Sequence, residues 1–369
     1  MASAAVLAAG FAVGSQLALR QSPIATARGA WRGTVRWRRR LIVGAALVTL
    51  IGLVGYTGYI AQIGSDEFIH PAVTAADCRT PADMFGWDYE AINYDKADDA
   101  RLTVANPDKL NCTSQGSTAG TDVVSPDGIR LAGWYIPAAS AIGPTGPTLI
   151  IVPGWKTNKT GVLKYGSPFH GAYNLVFVDL RNSGRSSGTE TTMGLKEQMD
   201  VSAMIDWLVR AKNPSWIGAV GDSMGAATAL AATNVDARVK ALIIDSAHAQ
   251  IVTAIGNVLE TEHGQPALPG GWAIITAVSL AVGGDVTAID PVRIIGAVGN
   301  RPVLLIHGTA DLVDPPAESA DLTFHAALSA GVNVELQYCQ GAPHGQVIDR
   351  CPSEWARRAL SFLDRARNR

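Results

Sequence analysis

The sequence predicts an α/β fold: a mostly parallel central sheet flanked by helices, with a cap insertion and an N-terminal transmembrane helix. Three observations lead there. From Thr121 onward, short β-branched apolar runs alternate with longer helical stretches, the pattern of a sheet covered on both faces. The later runs end in Gly, Asp or Ser, and ligands of open α/β sheets bind beyond such strand ends. Finally, Leu41–Ile63 contains no charged side chain. At about 1.5 Å per helical residue it can cross a hydrocarbon core of roughly 30 Å.

The span has the flanks of a membrane anchor. Arg32, Arg36, Arg38, Arg39 and Arg40 precede it among Trp31 and Trp37, and Tyr56 and Tyr59 lie near its other end. Basic residues on the cytoplasmic side and aromatic residues at both interfaces fix such a helix. Residues 1–40 are read as a basic cytoplasmic leader, 41–63 as the anchor and 64–120 as a juxtamembrane spacer or small subdomain. The main domain, 121–369, then lies outside the cytoplasm. Residues 1–19 are also uncharged but rich in Ala, Gly and Ser, a weak first span at most. A cleaved signal peptide is the rival reading. It is disfavoured by the length of the charged stretch and the lack of a small-x-small cleavage site.

Residues 1–40 hold seven arginines and no acid, although the whole chain has 30 basic and 32 acidic residues. The body is therefore acidic, which excludes the basic face that nucleic acid requires. Cys78, Cys112, Cys339 and Cys351 all follow the span, where an oxidising compartment permits disulfides. Four cysteines allow three pairings. Proximity in sequence favours Cys78 with Cys112 and Cys339 with Cys351, the second pair bracketing His344. No CxxC or His/Cys cluster suggests a metal site.

Within the body, TDVVSPDGIRLAGWYIP reads as two antiparallel strands around Pro126-Asp127-Gly128, followed by PTLIIVPG, NLVFVDLR, WIGAVGDS, KALIIDSA and RPVLLIHG. Gly154, Asp179, Ser223, Asp245 and the stretch from His307 to Asp311 fall at strand ends. Helices are expected over Leu195–Ala211, Met224–Ala232, Ala317–Ala330 and Ser353–Ala366. Between about 250 and 299 the alternation fails, and the apolar run Trp272–Val282 sits between glycine pairs. That insertion reads as a helical cap, with ordinary core packing as the alternative for its side chains.

The chemistry centres on Gly221-Asp222-Ser223-Met224-Gly225, which follows the apolar stretch Trp216–Val220 and opens an Ala-rich helix. A sharp strand-turn-helix elbow exposes the serine hydroxyl and leaves room only for glycine at positions 221 and 225. A serine hydroxyl needs a base and a group that orients the base. Asp311 follows the strand Pro302–Ile306, and His344 follows Val334–Tyr338, giving the chain order Ser, Asp, His of such enzymes. Asp314 competes with Asp311, and His248 and His307 are the nearest rivals of His344.

With SPDGIRLAGWYIP, VDLRNSGRSSG, GDSMG, HGTAD and GAPHG in register, residues from about Thr121 to the C-terminus resemble the α/β-hydrolase superfamily. They are most similar to bacterial esterases and peptidase-like hydrolases akin to BEM46-like membrane-anchored proteins. The resemblance covers about two thirds of the chain. It implies an α/β-hydrolase fold, a Ser-His-Asp mechanism, no cofactor and an oxyanion hole of two backbone amides. Those amides are expected from Met224 and Trp155. Pro153 stands where the family usually has histidine.

These features point to a membrane-bound serine hydrolase cleaving carboxylic esters or related acyl bonds through an acyl-enzyme, with a small acyl substrate and no metal. A peptidase on the same triad is the enzymatic alternative, since fold does not select the substrate. A non-catalytic hydrolase-fold scaffold is the alternative from another class. Aspartate at position 223 would instead mark a haloalkane dehalogenase.

Overall fold

A computed structural model describes residues 27–71, 79–99 and 122–368. The weak first span, Cys78, Cys112 and much of the 64–120 spacer lie outside the described residues. The chain divides into two compact units, Met1–Tyr56 and Thr57–Arg369. Helix α1 runs from Ala27 to Ile69, and its portion Trp37–Ile69 is long and apolar enough to cross a membrane.

The second unit is built on an eight-stranded sheet in the order β1-β2-β4-β3-β5-β6-β7-β8. The strands are β1 (Glu90–Ile92), β2 (Ala132–Ile136), β3 (Thr148–Val152), β4 (Asn174–Asp179), β5 (Ile217–Asp222), β6 (Val239–Asp245), β7 (Val303–Gly308) and β8 (Val334–Cys339). β2 is antiparallel to β1 and β4, and every other pairing is parallel. Parallel strands covered on both faces need continuous apolar runs, and TLIIV, NLVFVD and VLLIHG are buried throughout. β8 is only half-buried along most of its length, as befits an edge.

Two local expectations are modified. The stretch around Pro126-Asp127-Gly128 forms a turn closed by a single bridge, Val124 to Arg130, because β2 takes its partners from β1 and β4 instead. β1 comes from the region read as a spacer, so the sheet recruits residues upstream of 121. At three residues it is a short edge of the kind that resists further pairing.

The helices are α2 (Pro81–Phe85), α3 (Glu197–Lys212), α4 (Met224–Val235), α5 (Ile251–His263), α6 (Ala267–Val282), α7 (Pro291–Ile294), α8 (Ala320–Ser329), α9 (Val347–Arg350) and α10 (Pro352–Arg367). α4 is rich in Ala, Gly and Thr, and these small side chains let it sit buried against the sheet from Met224 to Thr233. α10 buries Trp355, Ala359, Phe362 and Leu363, positions four, seven and eight apart that share one helical face. The Trp355 ring lies 5.5 Å from Tyr165 and 5.6 Å from Phe169, and its N–H donates to buried Asp245 Oδ2 at 2.7 Å.

The chain steps from β3 outward to β4 and returns to β5 on the other side of β3. The sheet thus changes winding direction beside β3 and β5, where a crevice opens at the carboxyl ends of the strands. Truncating Trp355 to Ala should remove both the ring packing and the hydrogen bond to Asp245. The expected loss is about 3–5 kcal/mol, checked by denaturant unfolding of the full chain in detergent.

Candidate active site

Ser223 occupies the turn between β5 and α4 with φ 52° and ψ −122°, a conformation that L-residues rarely adopt. The turn is held by close backbone approach. A Cβ at Gly225 would collide with the Val152 and Pro153 carbonyls, and one at Gly221 with the backbone at Ala226. Both neighbours of the elbow must therefore be glycine. Ser223 N–H donates to the Asp245 carbonyl at 2.9 Å, tying the turn to β6.

Ser223 Oγ lies 2.9 Å from His344 Nε2. On the other side of the ring, His344 Nδ1 donates to Asp311 Oδ2 at 2.8 Å. Asp314 Oδ2 stands further off, 3.7 Å from the same nitrogen. Asp311 is aimed by its own loop: its Oδ1 accepts the N–H groups of Val313 at 3.0 Å and Asp314 at 2.8 Å. His307 lies behind it, 3.3 Å from Asp311 Oδ2, and donates to the Asp314 carbonyl at 2.7 Å. The structure thus brings Ser223, His344 and Asp311 together in a chain of hydrogen bonds, with Asp314 and His307 on its flank.

The electrostatics follow from burial and these contacts. Burial favours neutral Asp311, but the hydrogen bonds from His307 and His344 outweigh it and hold the carboxyl below its ordinary range. Burial likewise favours a neutral His344 ring, yet the bond to Asp311 and the charges of Asp311, Asp314 and Asp222 raise its pKa above the ordinary histidine value. Asp314, without a comparable set of donors, is pushed up to about 7 by burial. The neighbour Asp222 accepts the Tyr165 hydroxyl at 2.9 Å.

The His344 loop is fastened at both ends. A disulfide joins Cys339, at the end of β8, to Cys351, at the start of α10. Gly308 lets this loop approach β7 so closely that a Cβ would strike the Ala342 carbonyl.

The serine opens into a cavity of about 430 Å³ lined by Ser223, His344, Trp155 and Met224 together with one face of α5. Among the described residues neither the Trp155 nor the Met224 backbone N–H has an acceptor, so both are free to serve one. Trp155 is held from outside its own loop. Its ring stacks on Phe68 at 4.5 Å, its indole N–H donates to the Phe68 carbonyl at 3.3 Å, and the Lys156 ammonium lies 4.1 Å above it. Lys156 in turn pairs with Glu67 at 2.8 Å.

Sequence reasoning missed Phe68 and Glu67, since nothing in a helix end announces a partner 87 residues away. It also set His248 aside as a rival base. His248 lines the cavity, buried, and burial drives its pKa down to about 4, leaving a neutral imidazole. No group of side chains suited to a metal occurs among the described residues.

The family model for the X-Pro dipeptidyl-peptidases (S15 family) matches residues 127–278, from the Asp127 turn through Ser223 and into α6. The chain has the α/β-hydrolase fold. Among solved structures, this α/β-hydrolase is similar to the esterase Pf2001 of Pyrococcus furiosus, at 22% identity and a TM-score of 0.57, over 78% of this chain and 94% of that one. It is also similar to the α/β-hydrolase GrgF from Penicillium, at 18% identity and a TM-score of 0.51, covering 66% and 96% of the two chains. In sequence it is 28% identical to the uncharacterized protein YfhR of Escherichia coli over 227 residues, which is 58% of this chain and 70% of that protein.

Breaking the Cys339–Cys351 bridge by Cys339→Ser with Cys351→Ser should lower stability by about 2–4 kcal/mol. The reading is the unfolding midpoint of the full chain with and without reductant. A reductant that leaves the midpoint of the unmodified protein unchanged would contradict it.

Proposed function

We propose that this hydrolase is a membrane-anchored serine esterase whose catalytic domain lies outside the cytoplasm. The observation that carries the proposal is the continuous hydrogen-bonded line from Ser223 through His344 to Asp311, opening on a cavity with two unengaged amides. The charge-free run Leu41–Ile63 behind a cluster of arginines supports the anchor and its direction.

In the proposed reaction Ser223 Oγ attacks the acyl carbon while His344 Nε2 takes its proton. Asp311 keeps the imidazole oriented and stabilises the imidazolium. The tetrahedral oxyanion accepts the N–H groups of Trp155 and Met224. His344 then protonates the leaving alkoxide, and the alcohol departs from a Ser223 acyl-enzyme. Water attacks that ester with His344 again as base, and the acid leaves as Ser223 regains its proton. The apolar side chains of α5 along the cavity suit an acyl group. The match to the X-Pro dipeptidyl-peptidase model favours a second reading, in which the acyl donor is a peptide.

The test is hydrolysis of p-nitrophenyl esters of graded chain length by the full chain in detergent, beside a panel of peptide amides. Ester turnover that Ser223→Ala abolishes, together with loss of fluorophosphonate labelling, is the expected result. Peptide turnover without ester turnover selects the second reading. A folded protein that neither turns over nor labels is a scaffold.

Asp311→Asn should lower kcat by about 10⁴-fold, whereas Asp314→Asn should leave most of the activity. Comparable losses in the two variants would assign the orienting role to the pair. His344 works as a base only when neutral, and its pKa is raised, so activity should fall as pH drops through that value. The acid limb of kcat/KM is therefore expected to inflect above the ordinary histidine value of 6.5.

A further inference from the structure

Helix α6 presents a face that the domain does not cover. Trp272 and Leu280 are exposed by 56% and 79%, and their spacing of eight places them along one side of the element; Leu268, 69% exposed, stands at a kink before them where the backbone is not helical. Thr276, between Trp272 and Leu280, returns its hydroxyl to the Trp272 carbonyl at 2.8 Å, so it adds no unsatisfied polar group. From Ala267 to Val282 there is no charged residue at all. An exposed apolar stripe of this kind marks a contact surface.

Its place in the fold says what it contacts. The opposite side of α6 packs against the end of α1. A Cβ added at Gly270 would lie 3.6 Å from the Ile60 side chain, and the side chain of Ile274 fills the space a Cβ at Gly64 would need. Ile60 and Gly64 bracket Ile63, where the uncharged run of the anchor ends; the first acids, Asp66 and Glu67, come within the next turn. α6 therefore stands at the level where the anchor leaves hydrocarbon for water, and Trp272 is an aromatic residue of the kind favoured at that boundary. α5 and α6 together are apolar enough for a membrane but are bent by 119°, which suits an element lying along the surface and not one running through it. The other side of α5 lines the cavity through Ile251, Ala254, Ile255 and Val258, and Phe68 from the end of α1 joins them.

We propose that the exposed face of α6 rests in the lipid surface and that the cavity takes its acyl chain from the bilayer, so that the substrate is a membrane-resident ester. This rests on the reading of α1 as an anchor and Ser223 as the nucleophile. Apolar side chains sunk into the headgroup boundary hold such a helix in the membrane plane. The mouth of the site then faces lipid, and a long acyl chain reaches Ser223 without leaving an apolar environment.

The test uses the full chain in phosphatidylcholine nanodiscs. A nitrobenzoxadiazole probe at Leu280→Cys is expected to emit at shorter wavelength than the same probe at Val235→Cys, an exposed site at the far end of α4 from Ser223. It should also be quenched by spin-labelled lipid. A probe at 280 that emits as in water and is not quenched overturns the proposal, whatever the protein hydrolyses. Trp272→Glu combined with Leu280→Glu should slow a bilayer-resident long-chain ester about tenfold and leave a water-soluble butyrate ester within about twofold. Equal effects on the two esters overturn the substrate assignment. Failure of the underlying readings registers separately. Absence of turnover on either ester by the unmodified chain removes the hydrolase and the substrate assignment with it, while the probe still decides the surface. Release of the unmodified chain by alkaline carbonate removes the anchor and overturns the proposal.

Discussion

The site depends on one backbone constraint, the left-handed conformation of Ser223. A non-glycine residue held there costs on the order of 1–3 kcal/mol and persists only where its surroundings leave no alternative. Here the surroundings are the Asp245 carbonyl, which accepts the Ser223 N–H, and a largely buried α4 rich in small side chains. β3 passes so near that its terminal carbonyls contact the Gly225 position. The same close approach that forces glycine at 225 brings the Trp155 loop beside the serine. One geometric requirement therefore positions the candidate nucleophile and both candidate oxyanion donors.

A second constraint is the management of buried acids. Asp222, Asp245, Asp311 and Asp314 lie close to the site, each buried enough that its charge is costly. Hydrogen-bond donors separate them. Asp311 has two loop amides and two histidines and stays ionised, whereas burial prevails at Asp245 and Asp314 and raises both to about 7. The result concentrates negative charge at the carboxylate nearer to His344 Nδ1. His307 assists from behind, bonded to the Asp314 carbonyl and close to Asp311.

The end of α1 is structural material for the site as well as chain leading to it. Phe68 and Glu67 grip Trp155 and Lys156, and the Ile69 carbonyl accepts the Thr191 N–H at 2.8 Å. The loop that carries one candidate oxyanion amide is thus braced by the last turn of the helix whose apolar portion is long enough to cross a membrane. That turn meets Trp155 through a stacked ring and a hydrogen bond.

The local parts of this picture were legible in the sequence. The charge-free run, the strands with continuous apolar residues and the G-x-S-x-G elbow are written in neighbouring residues, because periodicity, burial and tight turns act over a few positions at a time. The chain order of Ser, Asp and His favoured Asp311, with Asp314, which follows the same strand, as its competitor. Only the tertiary structure set their distances from His344, 2.8 and 3.7 Å. It alone placed Phe68 against Trp155, put a neutral His248 in the cavity and drew β1 from an apparent spacer into the sheet. Each of these is a contact between residues far apart along the chain, made specific by packing and desolvation that no local pattern encodes.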